Sequence, residues 1–235
     1  MQIEEAAQRI LQRLDRLYWN DMYNEYEPED CEDHWENMRY CVKADKYNYG
    51  ASKVVFHYKE MEHFVIKMPI MGCWEDEEEE YQDYSHATSL CSPEDETWYD
   101  CWDYCGVEAE TYAYIETHLP QLTKFFAATF FLGFTMRNIP VYVSQKVEET
   151  LDNVENIEIS EQAKVKASSM CETVLYSVGF SEEVLGLFYD NYPAEEVSML
   201  LDFLADKHIS DFHYGNIGIT AAGKPVIIDY SNFNS

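Results

Sequence analysis

Three residues near the end of this 235-residue chain are of types that do chemistry together: Asp211, Asn216 and Asp229. They lie in Ile209–Ser235, where two short apolar runs flank the turn-like Ala221–Lys224 and predict a β-hairpin. Asp211 and Asn216 precede the first run and Asp229 closes the second. Folding the hairpin would therefore gather two carboxylates and an amide at one edge. Hard oxygen donors gathered in this way suit Mg²⁺, which keeps several waters and shares its shell with phosphates. A further residue of interest is Lys67, which interrupts the apolar run Phe64–Met68. Alternation puts Val65, Lys67 and Pro69 on one strand face and Phe64, Ile66 and Met68 on the other.

The pattern Asp-x-x-x-x-Asn followed by Ile-Ile-Asp-Tyr-Ser resembles the catalytic loop and metal-binding Asp of the protein-kinase-like superfamily, which includes protein kinases and aminoglycoside or choline phosphotransferases. The variant Asp-Phe-His-Tyr-Gly-Asn is more similar to the atypical and small-molecule branch, and the spacing of Asn216 to Asp229 also fits. The resemblance implies an α+β fold of two lobes: an N-lobe antiparallel sheet with one helix, and a small, mainly helical C-lobe. It implies ATP and Mg²⁺ as cofactors, Asp211 as the catalytic base, and Asn216 and Asp229 as metal ligands. Lys67 would hold the α- and β-phosphates, paired with Glu108 on the following helix, with Glu110 as the alternative partner. Gly50 and Ser52 would form a reduced phosphate-covering loop, and Gln145 and Val147 a hinge whose main chain reads adenine. His213 would lock the catalytic loop by hydrogen bonding.

The pattern also departs from the family. The glycine-rich loop is reduced to Gly50, Ile209-Ser210 stands where the family has His-Arg, and Ser231 replaces the usual glycine. The sequence given stops four residues after Ser231, so the expected C-lobe is truncated and the phosphoryl acceptor is not legible.

The elements that must position these residues follow from periodicity. Ile3, Ala6, Ile10, Leu14 and Leu17 predict an amphipathic helix over 2–19. Strands are predicted at Met38–Val42, Lys53–Tyr58 and Phe64–Met68, then at Phe125–Phe134 and Ile139–Val147. A helix over Tyr104–Leu119 aligns Cys105, Glu108, Tyr112 and Ile115 on one face. Helices are further predicted at Ser160–Val178, at Ser181–Tyr189 with Ser181 as its cap, and at Pro193–Lys207, whose apolar stripe is Val197, Leu200, Leu201 and Leu204. The expected organisation is a helical extension over 1–37, an N-lobe over 38–147 with an acidic insertion at about 73–100, and a C-lobe over 148–235.

Composition bounds the function. With 46% hydrophobic residues the chain can bury a core. Its 16 basic and 45 acidic residues give a charge of −29, which disfavours nucleic-acid backbones and anionic membranes as partners. It favours a cationic small molecule, a basic protein or divalent metals. Glu75–Glu80 is a run of six acids, and Met68–Thr123 contains no Lys or Arg. Cys73, Cys91, Cys101 and Cys105 with His86 have poor zinc spacing. Seven Cys without a secretory signal, and no apolar run approaching 18 residues, predict a cytoplasmic protein. The implied function is an ATP–Mg²⁺-binding phosphotransferase to a hydroxyl acceptor. The alternative is a catalytically degenerate kinase fold acting as an acidic binding or inhibitory protein, docking a basic protein or mimicking DNA, as in phage.

Overall fold

The structure, a computed structural model, describes residues 2–22, 28–50, 52–70, 103–169, 178–210 and 212–231. It is α+β, with antiparallel sheets and several helices. The chain divides into two compact units, one made of Met1–Glu110 and Thr129–Gln145, the other of Thr111–Ala128 and Lys146–Ser235.

The first unit is built on a five-stranded antiparallel sheet in the order β1-β2-β3-β5-β4. Its strands are β1 (Lys46–Tyr49), β2 (Lys53–His57), β3 (Phe64–Pro69), β4 (Thr129–Phe134) and β5 (Pro140–Gln145). The period of two along each strand separates the faces. Val54 and Phe56 of β2, Ile66 and Met68 of β3, and Val141 of β5 point into one apolar core. That core is closed by Ala6, Ile10 and Leu14 of helix α1 (Gln2–Leu14) and by Trp35, Met38 and Val42 of helix α2 (Pro28–Val42). Each Val, Leu, Ile, Phe or Met side chain fully buried there contributes about 1.5–3 kcal/mol. The segment expected as an N-terminal extension thus supplies one wall of this core. The opposite sheet face carries Lys53, Lys67, Tyr142, Ser144 and Thr129, as the pairings Lys67↔Tyr142, Val65↔Ser144 and Thr129↔Ser144 require.

Two strand assignments are corrected. Met38–Val42 is the last turn of α2, not a strand. Trp35, Met38 and Val42, at helical spacing, are buried together, while the strand-prone Tyr40 and Cys41 are exposed. The first strand is instead the polar Lys46–Tyr49, which pairs with β2 from Lys46↔His57 to Tyr49↔Val54. In Phe125–Phe134 the strand begins only at Thr129. Pro120–Phe125 is a 3-10 turn, and Phe126 and Ala127 belong to the second unit.

The helix predicted over Tyr104–Leu119 is α3 (Tyr104–His118), and Cys105, Glu108, Tyr112 and Ile115 are all buried. Its first residues lie in the first unit and the rest in the second.

In the second unit, α4 (Glu161–Ser168), α5 (Glu182–Asn191) and α6 (Ala194–Asp206) are accompanied by a small sheet of β6 (Glu149–Thr150), β7 (Ile217–Ile219) and β8 (Pro225–Ile227). Ser160 and Ser181 cap α4 and α5, each accepting from the backbone N–H three residues on. Phe125, Phe126, Phe180, Phe188, Leu200 and Phe212 form the heart of its core. The backbone N–H of Ala127 donates to the carbonyl of Ile227 at 2.8 Å, and the Tyr230 hydroxyl donates to the Ala127 carbonyl at 2.9 Å. These bonds tie the segment after the 3-10 turn to the end of the hairpin. Gly218 in β7 has a packing reason to be glycine. A Cβ there would meet the Val147 side chain at 2.5 Å, closer than any atoms tolerate.

The helix predicted to run to Val178 is described as α4 and at Val178, and residues 170–177 between lie outside the described residues. So do the acidic segment 73–100, with Cys73, Cys91 and His86, and also Cys101. Among the described residues no helix is long and apolar enough to cross a membrane.

Candidate functional site

In the first unit, Lys67 and Glu108 meet. Strand β3 turns Lys67 away from the apolar core, and the first two turns of α3 bring Glu108 to the same face. The Lys67 ammonium donates to Glu108 Oε2 at 2.6 Å. Neither is solvated: Lys67 is 5% exposed and Glu108 0%. Of the two acids considered as the partner of Lys67, the structure pairs Glu108. A buried carboxylate is costly unless paired, and this one is paired twice. Lys53, the first residue of β2, donates to Glu108 Oε1 at 2.5 Å and is 7% exposed. Lys53 and Lys67 are diagonal neighbours on adjacent antiparallel strands, since Lys53 pairs with Pro69 and Val55 with Lys67. One carboxylate therefore lies between two ammoniums.

Asp103 completes this face. Its Oδ1 accepts the N–H of Gly106 at 2.9 Å, which caps α3 at its third residue. Its Oδ2 accepts the hydroxyl of Tyr142 from β5. Burial pushes the Asp103 carboxyl up to about 6, against the hydrogen bonds from Tyr142 and the backbone, and Glu108 pushes it further the same way. Burial also pushes the neighbouring Cys105 thiol well up. Glu110 is half-buried, and burial followed by the nearby Asp103 raises it to about 7. Thr129 and Ser144 share a hydroxyl–hydroxyl bond of 3.0 Å on the same face.

The raised Asp103 has a measurable consequence. Its ordinary value is 3.8, so the folded state binds this proton more readily than the unfolded state does. The resulting stabilisation is complete below about 4 and is lost as pH rises through about 6. Asp103→Asn keeps an oxygen for the helix cap and removes the titration. The expected result is that the variant gains stability relative to the unmodified protein as pH rises from 4 to 7, read from urea midpoints at each pH. A difference between the two proteins that does not change with pH would sink this assignment.

Gly50 and Ser52 stand where the chain turns between β1 and β2. The Gly50 N–H donates to the Lys53 carbonyl at 3.0 Å, and the Ser52 carbonyl accepts from Ile70 at 2.9 Å. A Cβ on Gly50 would meet nothing within 4 Å, so no packing requires a glycine there. Gln145 ends β5, opposite Phe64, and the next residue begins the second unit. Val147 lies over Gly218, and the Glu148 N–H donates to the Ile219 carbonyl at 2.8 Å.

In the second unit the hairpin brings Asn216 and Asp229 to one end. Ile217 pairs with Ile227, and the Ile228 N–H donates to the Asn216 carbonyl at 2.9 Å. Asp229 follows directly, its Oδ1 accepting the Ser231 hydroxyl at 2.9 Å. His213 Nδ1 accepts the N–H of Gly215 at 3.1 Å, and the His213 carbonyl accepts the N–H of Asn216 at 2.9 Å. The histidine thus organises the turn that presents Asn216. A Cβ on Gly215 would meet the His213 ring at 2.9 Å. Phe212 anchors the start of this turn, stacked on Phe180 with centroids 4.7 Å apart. Asp211 lies outside the described residues. Among the described residues no group of three or more His, Cys, Asp or Glu is placed to hold a metal ion. Asn216 and Asp229 are oxygen donors of the kind Mg²⁺ prefers, and such a site needs only one or two carboxylates plus phosphates.

No family model matches the chain, and neither the curated proteins nor the solved structures contain a match.

Lys53 is not among the site residues expected from the sequence, where it stands only as the start of a strand. The signal that would have found it is positional: in a β2–β3 hairpin of this register, Lys53 falls on the same face as Lys67.

Proposed function

We propose that this chain is an ATP–Mg²⁺-binding protein of the protein-kinase-like type, acting as a phosphotransferase to a hydroxyl acceptor. The observation that carries the reading is the buried Lys67–Glu108 pair. A lysine on the third strand of an antiparallel sheet, paired with a glutamate on the next helix, is the arrangement protein kinases require for catalysis. The order of elements around it, and the joint placement of Asn216 and Asp229 at one hairpin end, support the same reading.

In this reading Lys67 holds nucleotide phosphates and Glu108 fixes the ammonium. Asn216 and Asp229 hold Mg²⁺, which neutralises charge on the phosphates. Asp211 orients the acceptor hydroxyl and takes its proton. Phosphoryl transfer depends on positioning and charge stabilisation, so a small set of side chains is sufficient. The acidic surface suits a cationic acceptor. A second reading, a degenerate fold that binds a basic protein, is favoured by the net charge of −29.

A thermal-shift titration with ATP and Mg²⁺ tests the proposal. At a hundredfold excess over the dissociation constant, binding should add about 2.7 kcal/mol of apparent stability. Asp229→Ala should lose most of that gain. No shift in the unmodified protein would overturn the nucleotide role.

A further inference from the structure

Helix α3 is joined to the sheet of the first unit by polar links at two levels. Lys67 of β3 reaches Glu108, and Tyr142 of β5 reaches Asp103, the residue that caps the helix. On the sheet, Lys67 and Tyr142 are direct cross-strand partners. On the helix, Asp103 is the cap and Glu108 the fifth residue. All four side chains are buried. Successive residues turn by about 100° around a helix, so Glu108 and Glu110 stand about 200° apart. The rotation of α3 therefore decides which acid meets Lys67. A link at one level leaves the helix free to pivot, and a link at the cap removes that freedom. Neither partner of the second link is the simplest choice for its local task. Serine or asparagine caps a helix as well as aspartate does, and a buried carboxylate is costly unless it is satisfied. Phenylalanine would keep the edge contact of Tyr142 with Phe131, whose ring centroids are 5.5 Å apart. What aspartate and tyrosine add is a second acceptor oxygen on the cap and a hydroxyl to reach it. Oδ1 accepts the Gly106 N–H, and Oδ2 accepts the Tyr142 hydroxyl.

We infer that Tyr142 and Asp103 are positioning residues: their bond sets the start of α3 against β5 so that Glu108, and not Glu110, is presented to Lys67. Their effect on a nucleotide rests on the reading of Lys67 as a phosphate-binding residue, because the tether acts only through Glu108 and touches no ligand itself.

The test uses the whole chain and three variants. Tyr142→Phe removes one hydroxyl and keeps the ring. Asp103→Ser keeps a capping oxygen and offers no second acceptor. The third variant combines the two. Hydrogen exchange is read at the Val107 and Glu108 amides of α3 and, as the reference, at the amides of β3. ATP–Mg²⁺ affinity is read by calorimetry. Both single variants should speed exchange in α3 about tenfold more than in β3, the release expected for one hydrogen bond to a charged group. Both should weaken ATP–Mg²⁺ about tenfold, since misplacing a positioned group costs up to about 10²-fold. The combined variant should match the worse single one, because both break the same bond. Either single variant suffices where the other does not fold. If exchange rises by the same factor in α3 and β3, or in neither, the bond is an ordinary part of the core and the inference falls. It falls too if Tyr142→Phe loosens α3 selectively and Asp103→Ser does not. If α3 loosens in both variants while ATP–Mg²⁺ affinity stays within twofold of a parent that binds it, the inference falls and the nucleotide reading stands. If α3 loosens selectively and the parent binds no ATP–Mg²⁺, the tether stands as the device that sets α3 and the nucleotide reading falls.

Discussion

Glu108→Ala is expected to lower the unfolding free energy by about 3–5 kcal/mol, the usual cost of removing one partner of a buried ion pair. The effect should fall at the upper end, because both carboxylate oxygens are engaged, by Lys53 at 2.5 Å and by Lys67 at 2.6 Å. Alanine would leave two ammoniums on adjacent strands facing each other without the intervening charge. Removing either lysine alone should cost less, since Glu108 then keeps a one-to-one partner. The asymmetry is the diagnostic feature: one glutamate variant worse than either lysine variant, in urea midpoints at constant slope. The triple variant Lys53→Met, Lys67→Met, Glu108→Leu should recover most of the loss, because apolar groups of similar size often replace buried ions at little cost. That variant would retain the fold and, if the proposed function holds, lose ATP–Mg²⁺ binding. A Glu108→Ala protein within about 1 kcal/mol of the original would show that the cluster is solvated and that its burial has no energetic consequence.

If the proposed reaction is correct, Asp211→Asn should lower phosphoryl transfer by about 10²–10⁴-fold, the usual contribution of a positioned general base. Asparagine retains the size of the side chain and removes its capacity to take a proton. Nucleotide binding should therefore be unchanged, with the same thermal shift in ATP–Mg²⁺ as the parent. Asp229→Ala should behave in the opposite way, losing the shift itself. The assay is ATP turnover with a panel of cationic hydroxyl acceptors, beginning with amino sugars and amino alcohols. Equal turnover by Asp211→Asn and the parent would remove Asp211 from the mechanism. Nucleotide binding without transfer to any acceptor would favour the acidic binding protein.

Much of the scaffold was legible because its periodic signals are local. The stripe Val197, Leu200, Leu201 and Leu204 gave α6, and Ser181 before two glutamates gave the start of α5. The alternation of Phe64–Met68 placed Lys67 on the face opposite Ile66 and Met68, where it is found. Failures came where tertiary context decided the outcome. Tyr40, Cys41 and Val42 have strand propensity, but Val42 lies one turn beyond Met38 and both are needed in the core beneath the sheet. Lys46–Tyr49 has only polar and aromatic residues and an exposed edge, so no apolar run announced it as a strand. In the candidate site, the hairpin was readable from its flanking runs, while the Lys67–Glu108 pairing followed from the family resemblance, which left Glu110 as the alternative. The Lys53–Glu108 ion pair was not readable, because it depends on the register between β2 and β3, which no single strand encodes. Asp103 likewise acquires its environment only when α3 and β5 come together.

The chain passes from one compact unit to the other three times, after Glu110, after Ala128 and after Gln145. Each unit is therefore assembled from separated stretches of the gene. A fragment ending at Glu110 would have β3 as a bare sheet edge, without β5 and β4 beside it. A fragment beginning at Lys146 would lack Phe125 and Phe126, two of the largest buried rings of its core. A single cut in the chain cannot separate the two units cleanly. Each half expressed alone is therefore expected to lack part of its own core or sheet.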